Sequence, residues 1–204
     1  GLRDSLPASY RRLLDEGRLS ETPKPGDSIF EDSSWHCLLD NSAALEAVER
    51  RAAEAGWLVE TDLGVDDRPV AEAADALLAL LEALRAANPG RTVAMLTGGE
   101  LSSPVTGDGR GGRNTAFVLD CVPKIAGRPI AVVSAGTDGV DGNSPAAGAL
   151  ADGDTLARAR AAGLDPADFF ARSDSYTFFE RLGDALETGP SGNNGRDVRL
   201  LVAW

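Results

Sequence analysis

From Trp57 onward, short apolar runs alternate with longer segments whose apolar residues recur at helical spacing, and glycine-rich stretches separate them. Few folds satisfy that alternation: it reads as an α/β domain, a mixed, largely parallel sheet with helices on both faces. Residues 57–60, 92–96, 130–134 and 198–202 have strand length, and residues 35–39 are a further candidate. Asp40 or Asn41 caps a helix that Gly56 ends, and a second helix spans 69–87 with Val70, Ala74, Leu77, Leu78, Leu81 and Leu84 on one face. Further helices are predicted over 114–125 and 154–162, with helical turns through 169–182. Residues 1–20 read as a short amphipathic helix, and "ETPKPGDSIF" is a Pro/Gly-rich connector.

Composition narrows the function. With 204 residues and 43% hydrophobic content, the chain can bury an ordinary core. No apolar run approaches the roughly 20 residues needed to cross a bilayer, and the N-terminus lacks a signal-peptide pattern, so a cytoplasmic protein with no membrane partner is expected. A net charge of −12 argues against nucleic acid, whose phosphates need a basic face. Cys37 and Cys121 sit in apolar contexts with no Cys/His cluster and read as buried free thiols. His36 is the only histidine, which leaves little room for histidine-centred triads or His-rich metal sites.

The glycine stretches carry the chemistry. "LTGGELSSPVTGDGRGGRN" (96–114) contains a literal GxGxxG at Gly107, Gly109 and Gly112, but too far from its strand for a dinucleotide fingerprint. Its last residues open a helix, whose N–H groups together with Arg113 would favour an anion; a plain glycine-rich hairpin or helix start is the competing reading. In "SAGTDGVDGNSPAAGA" (134–149), Asp138 and Asp141 beside Thr137 could hold Mg²⁺ or orient a hydroxyl, or Asp141 could serve as an Asx-turn cap. "TGPSGNNGRD" (188–197) offers Thr188, Gly189 and Asn193 for binding rather than proton transfer.

Together, "ETPKPGD" (21–27), "GGE" (98–100), "GRGGRN" (109–114), "SAGTDGVDG" (134–142), "AAGA" (146–149) and "DSYTFFERLGDALETGP" (174–190) resemble, in order, the C-terminal half of the glycerate 2-kinase family, also labelled hydroxypyruvate reductase or MOFRL-domain proteins. The resemblance implies ATP-dependent phosphorylation of glycerate to 2-phosphoglycerate with Mg²⁺, in a cleft between two α/β domains. It implies that residues 1–32 are helix and connector from a missing N-terminal domain, and that 33–204 form a C-terminal domain inactive without it. Arg113, Asp138 and Glu100 would then be catalytic, and Asp138 and Asp141 would hold the metal. Gly98, Gly99, Gly111, Gly112, Asn114, Thr137, Gly139, Thr188, Gly189 and Asn193 would contact substrate and phosphate. The implied partners are glycerate, ATP and the missing domain, and a homo-oligomer is compatible with them. An NAD(P)H-dependent hydroxypyruvate reductase and a non-catalytic binding or assembly module are the alternatives.

Overall fold

The computed structural model describes residues 2–204, which divide into two units at Leu38. In the first unit the expected helix over 1–20 is two short ones, α1 (Leu2–Ser5) and α2 (Ala8–Asp15), and Pro7 immediately precedes the second. A proline cannot donate a backbone hydrogen bond and disfavours helix at the residue before it, which accounts for the interruption. A 3₁₀ turn follows at Ser28–Phe30. Residues 35–39 are not a strand, contrary to expectation, and Cys37 is exposed rather than buried. Among the described residues of this unit no strand exists to pair with that run, and an unpaired strand is not stable.

The second unit holds the sheet. Its elements are α3 (Asn41–Glu54), β1 (Leu58–Thr61), α4 (Val70–Ala87), β2 (Val93–Gly99), α5 (Arg113–Ile125), β3 (Ile130–Gly136), β4 (Gly148–Asp152), α6 (Thr155–Ala161), α7 (Pro166–Ala171), α8 (Ser175–Leu182), β5 (Ala185–Leu186) and β6 (Asp197–Ala203). The strands lie in the order β1-β2-β6-β3-β4-β5. The sheet is mixed, as expected, but only β1–β2 is parallel; the other neighbouring pairs are antiparallel. The cause is β6, which inserts between β2 and β3 and runs against both.

Alternation along β6 shows how both faces are covered. Leu200 lines a recess with Val48, Ala52 and Trp57 beneath α3, whereas Arg199 and Leu201 turn to the other face, where Phe117 of α5 lies. On that second face α4 and α5 pack side by side over a continuous core that includes Leu77, Leu81, Phe117, Val118, Val122, Ile130, Val132, Phe178 and Leu201. Cys121 is fully buried there, as expected, and burial pushes its thiol pKa upward. One row of the sheet sets where the loops meet: Gly99 at the end of β2 pairs with Asp197 at the start of β6, which pairs with Gly136 at the end of β3. The three glycine loops therefore leave or enter the sheet at the same edge.

Candidate functional site

Each loop folds against the others before it can meet a ligand. Thr137 N–H donates to Arg196 O (3.0 Å), Gly195 N–H to Thr137 Oγ1 (2.7 Å), and the Ser191 hydroxyl to Thr137 O (2.6 Å). Asn143 bridges the first two loops, donating to Gly109 O (3.1 Å) and accepting from Gly111 N–H (2.8 Å). The glycines serve this knitting. A Cβ on Gly142, whose φ is +63°, would overlap the Gly111 carbonyl, one on Gly139 the Gly189 carbonyl, and one on Gly112 the Asp141 carboxylate. Gly107 and Gly109 of the literal GxGxxG pack against Arg172 and Asp174 in the same way.

The anion expected at the start of α5 is supplied by the protein itself. Asp141, about 1% exposed, accepts from Asn114 N–H (2.9 Å), Thr115 N–H (2.8 Å) and the Thr115 hydroxyl (2.7 Å), and Asn114 Nδ2 approaches at 3.3 Å. This is a helix cap delivered from a distant loop. Burial raises the Asp141 pKa, and the same donors pull it back. Of the expected Asp138–Asp141 metal pair, Asp141 thus has both oxygens bonded to α5 donors, whereas Asp138 accepts from Val140 N–H (3.1 Å). Asn114 is likewise interior, with its Oδ1 accepting from the Ser134 hydroxyl (2.5 Å).

Arg113, the first residue of α5, points the other way. Its Nε and Nη2 donate to the two oxygens of Asp197 (2.6 and 3.0 Å), and its Nη1 lies 3.4 Å from Glu100. The bonds to Asp197 raise the Arg113 pKa further, so the guanidinium stays charged. Arg113, Asp138, Gly111, Gly112 and Asp141 line one cavity of about 760 Å³, whose remaining wall includes Leu101, Val105, Val140 and Phe170. Glu100 does not line the cavity; its N–H donates to Asp66 (2.6 Å) and its carboxylate lies 3.9 Å from Arg196. Gly98 and Gly99 lie beside Asn41, whose Oδ1 accepts from Gly99 N–H (3.1 Å). Thr188, Gly189 and Asn193 are on the outer loop and do not line the cavity.

Asp197 and Arg199 escaped the sequence reading, and Asn41 was read only as a possible helix cap, a place that Asp40 takes. Asp197 and Arg199 are both fully buried, and Asn41 donates to Gly195 O (2.7 Å) and Asp197 O (3.0 Å). The signal was present: an acid and a base two residues apart in "DVRLLVA" fall on the same, inward face of an otherwise apolar strand.

Comparison with known proteins identifies the family and the fold. The profile of the MOFRL family matches residues 93–197. An Agrobacterium vitis protein, provisionally named hydroxypyruvate reductase, is 38% identical over 97% of this chain and 45% of its own length. The D-glycerate 2-kinase of Thermotoga maritima is 38% identical over 53% of this chain and 26% of its own. The crystal structure of a glycerate kinase from T. maritima superposes with a TM-score of 0.81 at 29% identity, covering 98% of this chain and 47% of that one. The chain spans about half the length of the relatives that match it throughout.

Proposed function

The chain belongs to the MOFRL family, and from that membership we propose that it is the C-terminal, substrate-cleft part of an ATP-dependent glycerate 2-kinase acting in the cytoplasm. The observation that carries the reading is Arg113: a charged guanidinium held by a buried carboxylate on a cavity wall made by the converging glycine loops. In phosphoryl transfer the protein mainly positions the reactants and neutralises charge, and Arg113 can do both for a carboxylate or phosphate.

Mg²⁺ would supply charge neutralisation on the nucleotide phosphates. Among the described residues no group of three or more His, Cys, Asp or Glu side chains could hold a metal ion. Asp138 on the cavity wall offers a single carboxylate, which suits an ion carried mainly by phosphate oxygens. Asp138 is therefore the residue proposed to hold it, and Glu100 the residue proposed to contact the substrate hydroxyl. Transfer itself would require an N-terminal domain to complete the cleft, a reading supported by relatives about twice the length matched here.

The reductase reading draws on the name of the A. vitis relative, but its motif does not serve it. The GxGxxG glycines are packed against other loops, and β6 separates β2 from β3, unlike the adjacent parallel strands of a dinucleotide-binding unit. Thermal shift of the 204-residue chain with D-glycerate, ATP–Mg²⁺ and NADH separates these readings. Stabilisation by glycerate or ATP–Mg²⁺ that vanishes in Arg113→Ala is expected. A shift with NADH alone would overturn the kinase assignment.

A further inference from the structure

We propose that Asp197 and Arg199 form a buried brace that aims Arg113, which makes them positioning residues for the anion that this guanidinium would bind. The inference rests on the kinase-cleft role of Arg113. Asp197 grips Arg113 along its Nε–Nη2 edge. An arginine held on that edge has only its Nη1–Nη2 edge left to offer a ligand. That edge is the one beside Glu100, on the residue that lines the cavity.

Asp197 is itself fixed from the opposite side. Arg199 Nη2 donates to its Oδ2 (2.7 Å), Asn41 holds its carbonyl, and the sheet pairs it with Gly99 and Gly136. Arg199 Nη1 also donates to Gly99 O (3.1 Å), which ties the end of β2 to the start of β6. Its guanidinium lies 5.7 Å from the Phe117 ring centre, and its Nε has no partner. Burial of a charged group with an unmade hydrogen bond is costly, and apolar residues of similar volume often replace buried ion pairs without loss of stability. A brace that only stabilised the sheet would be poorly made. One that fixes the direction of a surface arginine requires these charges.

The test uses the 204-residue chain as wild type, Asp197→Asn, and Asp197→Asn combined with Arg199→Met. Three quantities are measured: Tm, affinity for inorganic phosphate and for D-glycerate by calorimetry, and the Arg113 Nε–H resonance by NMR, assigned with Arg113→Lys. Asp197→Asn strands the Arg199 charge, so Tm falls, and the double variant recovers most of it. Anion affinity is expected to stay about tenfold or more below wild type in both variants, because the guanidinium is no longer aimed. The Nε–H resonance should lose its downfield position in both. Affinity that returns along with Tm in the double variant would mean that the brace is structural only, and overturns the proposal. A wild-type chain that binds neither anion overturns the Arg113 site reading instead, and an Nε–H signal unchanged by Asp197→Asn overturns the brace as well.

Discussion

On its inner side the first turn of α5 meets Asp141, buried and bonded to two main-chain N–H groups and a hydroxyl. On its outer side Arg113 meets Glu100, which with Arg196 and Asp66 forms a row of half-exposed charges. Both regions satisfy carboxylates, the inner one with neutral donors and the outer one with arginines, and water excluded from the first reaches the second. An unmade bond in the first leaves a buried donor stranded, whereas in the second solvent replaces it. The inner region therefore holds the fold, and the outer one remains available to exchange partners.

Substitutions should separate the two regions by size of effect. Gly142→Ala adds a side chain at positive φ where it meets the Gly111 carbonyl, and should cost about 3 kcal/mol or more in denaturant unfolding. Asp141→Ala strands the α5 donors and should cost about 2–4 kcal/mol by the same measurement. A loss within experimental error would mean that α5 is capped some other way.

Acidity sharpens the comparison further. Burial raises the Asp141 pKa, so between the ordinary carboxylate value and the raised one the folded chain keeps a proton that the unfolded chain has released. Stability from this group is greatest below that window and falls as pH rises through it. Tm measured against pH should show this slope in the wild type and lose it in Asp141→Asn. In the outer region, Arg196→Ala removes an ion pair to Asp66 that solvent screens, and should change stability by less than about 1 kcal/mol. A large loss there would erase the distinction.

The sequence showed the periodic parts of this molecule well. The helical spacing of Val70, Ala74, Leu77 and Leu81 is the buried face of α4, and the apolar runs of β2, β3 and β6 are all strands. β4 was hidden because its residues are small: Gly148 must lie against the Ser134 carbonyl, and such residues carry little strand preference. Residues 35–39 had the converse problem, a strand-like composition beside a unit whose described residues hold no strand. At the site, Arg113 was visible beside its glycines. For Asp141 the sequence offered a local Asx-turn cap but not the cap on α5, because the donors that fill its carboxylate come from another part of the chain and only the tertiary fold brings them together.

The insertion of β6 between β2 and β3 bears on how the chain reaches this state. β2 and β3 make no ladder with each other, and the strand that joins them follows both in the chain. Two half-sheets must wait, each with an open edge, until the latest strand arrives to close the gap. Folds that depend on such distant pairings fold slowly. Asp197 and Arg199 lie on that same strand, so the element that closes the sheet is also the one that holds Arg113.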